Sequence, residues 1–199
     1  GERHFTGRDI SKLTLGIIGT GAIGAAVCRA AKCFNMNVIA YDLQERKELI
    51  DEINIRYMPL DELLREADIV SLHIPYTGDN YHMISNEQFE MMKDGAFFIN
   101  TSRGEIIDLP ALFEFIENKK LGGAALDVLT CESINFGCQN LAQKLSSVPM
   151  DCLNEAIYVE KLSKFDNVII TPHIAYSTQD SIDYILSITM NALMDVIHG

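Results

Sequence analysis

Leu15-Gly-Ile-Ile-Gly-Thr-Gly-Ala-Ile-Gly24 is an apolar run that ends in Gly19, Gly21 and Gly24, spaced as G-x-G-x-x-G. The apolar part reads as a strand, and the glycines allow a tight turn into a helix starting near Ala22. Backbone amides at such a helix start have no carbonyl partners of their own and form a site for a pyrophosphate.

The glycine pattern alone is weak, so its surroundings carry the reading. The next apolar run, Asn37 to Tyr41, is followed by Asp42 at the ~20-residue interval expected for an acid that binds both ribose hydroxyls of an adenosine. A carboxylate there repels the extra phosphate of NADP, so the expected cofactor is NAD. Arg46 stands nearby, but one flexible arginine does not remove the acid.

From Leu13 onward, strand-like runs alternate with amphipathic helical ones, the pattern of an α/β sheet with mostly parallel strands and helices on both faces. The strand candidates are Leu13 to Ile18, Asn37 to Tyr41, Asp68 to Leu72, Ala96 to Asn100, Gly122 to Asp127 and Val168 to Ile170. A helix is expected over Ala22 to Asn35, with Ala25, Ala26 and Ala30 keeping it slim against the sheet. Pro59 opens another in its first turn. Ser85 with Gln88 resembles a capping box, and Asp108 is placed to cap a helix carrying Leu112, Phe113 and Ile116. Thr178 to Ile197 sets Ile182, Ile185, Leu186, Leu193, Val196 and Ile197 on one face, which predicts a buried helix packed on the sheet, with a subunit or missing-domain contact as the alternative. Between residues 131 and 165 the pattern loosens into a long loop or short helices, with Leu141 to Leu145 and Leu153 to Leu162 as helix candidates around Pro149.

Composition bounds the function. The 199 residues are 48% hydrophobic, enough for one well-cored domain, and no apolar run approaches the ~18 residues of a membrane span. Neither a membrane nor a signal peptide is expected. The net charge of −12, with basic residues scattered, argues against nucleic acid as a partner. The five cysteines, Cys28, Cys33, Cys131, Cys138 and Cys152, are odd in number and match no zinc spacing, so free thiols in a reducing, cytoplasmic setting and no metal are expected.

Further chemistry comes from strand ends. Asn100-Thr-Ser-Arg103-Gly, Ala125-Leu-Asp127-Val-Leu-Thr-Cys-Glu132 and Thr171-Pro-His173-Ile-Ala each follow a strand candidate. Arg103, Glu132 and His173 therefore come from successive strand ends on one sheet edge, where ligands of open α/β sheets sit. Taken singly, each has a structural reading: a surface ion pair, a solvated loop acid, a core histidine. Together, beside a dinucleotide turn, they point to catalysis.

These motifs, with Leu72-His-Ile-Pro75, make nearly the whole chain resemble the nucleotide-binding domain of the D-2-hydroxyacid dehydrogenase family. Asp79 to Ile84 and the long segment after Glu132 look most like its D-lactate dehydrogenase branch. Ser133, where the family often has Pro, and Tyr176-Ser177, a partial match to an aromatic pair, depart from the pattern.

The resemblance implies a Rossmann-type, doubly wound domain and a role for each residue. Arg103 would bind the carboxylate and carbonyl of a 2-oxoacid. His173 would protonate the carbonyl oxygen, and Glu132 would pair with His173 and favour its protonated form. Ala22 and Ile23, with the glycines, would meet the pyrophosphate, while Ile74, Pro75, Asn80, Thr101 and Ser102 would line the cofactor cleft. Asp127 would hold the nicotinamide carboxamide, and His73 reads as structural.

In this family the nucleotide domain lies between two parts of a substrate-binding domain, so the chain is expected to be the isolated NAD-binding domain of a longer protein. Its expected partners are a small 2-oxoacid or 2-hydroxyacid and a second copy, pairing through this domain. Two other classes share pieces of the pattern. An NAD-sensing or corepressor module would have no use for Arg103, Glu132 and His173 together, and a methyltransferase would have none for Thr171-Pro-His173.

Overall fold

The computed structural model describes residues 7–132 and 149–198, without the side chains of 191–198. Strands β1 (Thr14–Ile18), β2 (Asn37–Tyr41), β3 (Arg56–Tyr57), β4 (Ile69–Leu72), β5 (Ala96–Asn100), β6 (Leu121–Leu126) and β7 (Val168–Ile170) form one seven-stranded sheet. Its order is β3-β2-β1-β4-β5-β6-β7, and every neighbouring pair is parallel. The order reverses between β1 and β4, which opens a crevice beyond the carboxyl ends of those strands. This is the doubly wound, Rossmann-type architecture expected from the sequence, with two-residue β3 added at the edge.

The described helices are α1 (Ala22–Cys33), α2 (Lys47–Ile53), α3 (Leu60–Glu66), α4 (Asn86–Met91), α5 (Leu109–Glu117), α6 (Met150–Leu162) and α7 (Gln179–His198). Local chemistry explains several starts. Asp108 accepts the Ala111 amide at 3.1 Å, and the Ser85–Gln88 capping box forms, with Gln88 Oε1 accepting the Ser85 amide at 3.2 Å. Pro59 is the residue just before α3.

Alternation along the strands sends side chains to two cores. Leu15, Ile17, Val38 and Ala40 pack with Ala25, Cys28, Ala31 and Leu49 on the α1–α2 side. Ile18, Ile39, Leu72 and Phe98 pack with Leu63, Phe89, Leu112 and Leu162 on the other. The slim face of α1 is Gly24, Ala25, Cys28 and Ala31, whereas Ala26 and Ala30 lie on the exposed side. A turn of about 100° per residue puts positions four apart on one face, so Ala26 and Ala30 share the face opposite the sheet.

Two expectations change at the C-terminal half. The face of α7 is not buried on the sheet: Ile182, Ile185 and Leu186 are 38%, 50% and 57% exposed. Its amphipathic spacing records an apolar face without specifying the surface that covers it. On β5 and β7, Phe97 and Ile169 are likewise exposed. In the 131–165 segment, Leu153 to Leu162 extends into the longer helix α6, which starts after Pro149. Leu141 to Leu145, Ser133 and Cys138 lie outside the described residues. Among the described residues no helix is long and apolar enough to cross a membrane.

Candidate functional site

The glycine turn joins β1 to α1 as the sequence predicts. Gly19 has φ +93°, a conformation that L side chains rarely adopt, and a Cβ on Gly24 would overlap the Gly19 carbonyl. Gly21, by contrast, faces open space, leaving room for a group to approach the backbone. Ala22 and Ile23 are exposed at the start of α1, where first-turn amides lack intrahelical acceptors. A hollow of about 520 Å³ lies beside this turn, lined by Gly19, Gly21, Asp42, Ile74, Pro75 and Asn80 among others. Its size and position suit the adenosine half of a dinucleotide. Asn80 shapes one wall by donating to the Pro75 carbonyl at 2.8 Å and accepting the Thr77 amide at 3.0 Å.

Asp42 is held at this rim. Its Oδ2 accepts the Thr20 amide at 2.6 Å and the Thr20 hydroxyl at 2.9 Å, and its Oδ1 accepts the Gln44 amide at 3.1 Å. Burial alone would raise this carboxyl, but the hydrogen bonds from Thr20, Gln44 and Leu43 outweigh it and keep the pKa below the usual carboxylate value. The group is therefore a fixed negative charge with lone pairs left for ribose hydroxyls. Thr20 is fully buried. The signal of its part in the sequence is its place inside the glycine motif, within reach of an acid at the next strand end. His73, on the wall of the same hollow, sits 3.0 Å from the Ser71 hydroxyl, and burial lowers its pKa.

The carboxyl ends of adjacent β5, β6 and β7 carry Arg103, Glu132 and His173. Glu132 Oε2 lies 2.8 Å from His173 Nδ1, both side chains about one-third exposed. With Nδ1 carrying its proton toward Glu132, the Nε2 nitrogen remains for a substrate. Arg103 is exposed, with Nη1 donating to the Ser102 carbonyl at 2.6 Å. Ser102 is buried and its hydroxyl donates to the Ile74 carbonyl, which ties the β5 end to the β4 end. Thr101 and Asp127 line a second, smaller hollow beside Ile174 and Ala175.

Asp127 does more than line that hollow. Its Oδ1 accepts the Thr171 hydroxyl at 2.6 Å and the Ile174 amide at 2.9 Å, and its Oδ2 accepts the Ala175 amide at 2.9 Å. The Asp127 carbonyl also accepts the His173 amide at 2.8 Å. Burial pushes its carboxyl up, but these bonds and the His173 side chain hold it below the usual range. His173 has φ +52° and Cys131, just before Glu132, has φ +57°. Both are left-handed positions of the kind that persist only where surroundings enforce them; around His173, Asp127 is the clamp.

The cysteine expectation needs correction: Cys131 and Cys152 are disulfide-bonded, while Cys28 and Cys33 are free. The fold brings their Cα atoms to 5.7 Å across a sequence separation of 21, a proximity that spacing alone does not encode. The bridge ties the loop of Glu132 to the first turn of α6. Among the described residues no group of three or more His, Cys, Asp or Glu side chains is gathered to hold a metal.

One turn further along α6, Glu155 hydrogen-bonds Thr130. Burial, aided by the charges of Asp108 and Glu105 and opposed by Thr130, raises its carboxyl from 4.5 to about 7. The folded chain thus keeps a proton that the unfolded chain loses, and stability falls as pH rises from 4.5 to about 7. Glu155→Gln is expected to flatten that part of a Tm-versus-pH profile and to raise Tm above its upper end. An unchanged slope would mean that another group sets it.

Residues 1–175 match the family model described as D-isomer specific 2-hydroxyacid dehydrogenase, NAD binding domain. The chain is 41% identical over 189 residues to the D-specific alpha-keto acid dehydrogenase of Enterococcus faecium, covering 95% of this chain and 54% of that protein. It is 40% identical over 190 residues to an aromatic 2-oxoacid reductase of Clostridium sporogenes, covering 95% and 54%. Among solved structures, D-lactate dehydrogenase from Aquifex aeolicus, complexed with NAD and lactic acid, superimposes with a TM-score of 0.89 at 39% identity, covering 98% of this chain and 56% of that one. The chain spans about half the length of the curated relatives it matches.

Proposed function

Because the chain belongs to the D-isomer specific 2-hydroxyacid dehydrogenase family, as its NAD-binding domain, we propose that it is the cofactor half of a two-domain oxidoreductase. The reaction is the interconversion of a small 2-oxoacid and its D-2-hydroxyacid, of the D-lactate dehydrogenase type. The observation that carries this reading is the Glu132–His173 pair at 2.8 Å, one strand away from Arg103 and on the edge that also holds the dinucleotide hollow.

The glycine turn and Asp42 fit the pyrophosphate and adenosine ribose, and Thr101 and Asp127 fit the nicotinamide end. When bound, NAD supplies or accepts the hydride. Arg103 binds the substrate carboxylate through its guanidinium fork and polarises the carbonyl. His173 Nε2 delivers a proton to the carbonyl oxygen in reduction and removes it in oxidation. Glu132 holds the imidazole in the required tautomer and orientation. The other domain closes the second wall, orients the substrate and excludes water. The proposal includes a homodimer paired through this domain; the Cys131–Cys152 bridge removes free thiols as the ground for a cytoplasmic location.

Titration with NADH tests the first half: the domain is expected to bind it in the micromolar range or better and to show little turnover by itself. The two-domain protein is expected to consume NADH on addition of 2-oxoacids, with a panel from pyruvate to aromatic 2-oxoacids ranking the substrates. Absence of NADH binding, or of any 2-oxoacid-dependent oxidation in the two-domain protein, would overturn the proposal.

A further inference from the structure

Arg46 is the cation that ought to weaken discrimination against NADP. The structure shows it already engaged. Its Nε and Nη2 both donate to Glu48 Oε1, at 2.7 and 2.6 Å, and its Nη1 donates to the Thr20 carbonyl at 3.2 Å. Its backbone amide donates to the Tyr57 hydroxyl at 3.1 Å. Tyr57 in turn donates to Thr20 Oγ1 at 2.9 Å, and Thr20 donates to Asp42. Arg46 and Asp42 thus bracket the same residue of the glycine turn, and the arginine is fixed through both its main chain and its side chain.

A 2′-phosphate entering beside Asp42 would need a cation to offset the carboxylate. The edge of the guanidinium best suited to a phosphate, Nε with Nη2, is occupied by Glu48. We propose that Glu48 is a specificity-determining residue of the adenosine site: by holding Arg46 it withholds that guanidinium from a 2′-phosphate, so NADP is rejected by a locked arginine as well as by Asp42. This inference rests on the reading of the hollow as an NAD site. Tyr57 is a positioning residue in the same device, since it pins the Arg46 main chain and the Thr20 hydroxyl together.

Both partners of the ion pair are partly exposed, 38% and 46%, so solvent screens the pair and its effect is modest. The test is the ratio of dissociation constants for NADPH and NADH, measured by titration calorimetry on wild type, Glu48→Gln, Arg46→Ala and the double variant. Glu48→Gln is expected to lower the ratio roughly twofold to fivefold, through tighter NADPH binding. In the Arg46→Ala background the same change is expected to leave the ratio unaltered, because the arginine it would release is gone. Glu48→Ala repeats the measurement should the glutamine variant prove unstable.

An unchanged ratio in Glu48→Gln overturns the proposal. So does an equal fall in both backgrounds, which would mean that Glu48 acts through its own charge. Failure of NADH to bind wild type would instead overturn the cofactor reading, and equal wild-type affinities for the two cofactors would overturn the selectivity assigned to Asp42.

Discussion

His173→Ala in the two-domain enzyme is expected to lower kcat for 2-oxoacid reduction by about 10²–10⁴, the range for loss of a positioned general acid. NADH affinity should change little, because the dinucleotide hollow is lined from β1, β2 and β4 while His173 follows β7. The loss falls on the chemical step, so single-turnover rates should drop as much as steady-state ones. Glu132→Gln should cost less. The amide oxygen can still accept from Nδ1 at the 2.8 Å separation, but the negative charge that pairs with the imidazolium, the acid in reduction, is gone. Reduction by His173→Ala at the parent rate would remove His173 from the mechanism.

What the sequence makes legible here is what short range encodes. The glycine turn, the Asp42 interval, the capping residues and the strand ends each need only a few neighbouring positions. Parallel pairing then places Arg103, Glu132 and His173 on adjacent strands because right-handed crossovers leave few alternatives. Local pattern fails where partners are remote or elements are minimal. Two-residue β3 has too few positions to show a period, yet it delivers Tyr57 to the Asp42 network. The resemblance implies a cofactor contact for Asp127, but its hydrogen-bond partners lie 44 or more residues away, so only the fold reveals that it also clamps Thr171, Ile174 and Ala175. The Cys131–Cys152 bridge escapes notice for the same reason. The apolar stripe of α7 is legible as a stripe, but amphipathicity contains no address for the surface that covers it.

Gly104→Ala tests the joint between the two halves of the reacting edge, and it is expected to damage stability and activity together. Gly104 is buried in the short turn after Arg103, and its φ is not in the left-handed region, so conformation does not require glycine there. Space does. A Cβ at this position would overlap the backbone of Leu129 and Thr130, the residues that lead into Cys131 and Glu132. Backbone cannot swing aside as a flexible side chain can, so the turn holding Arg103 and the loop holding Glu132 must separate. Overpacking of this kind costs about 1–3 kcal/mol, a fall in Tm of roughly 2–12 °C for a domain of this size. The displacement also pulls Arg103 away from the Glu132–His173 pair, so kcat/KM should fall by more than NADH affinity. Gly21→Ala is the matched control: its Cβ meets nothing within 4 Å, so Tm should hold while NADH binding weakens as the methyl fills the pyrophosphate approach. If Gly104→Ala keeps the parent Tm and activity, the close approach of these two loops is not what orders the site.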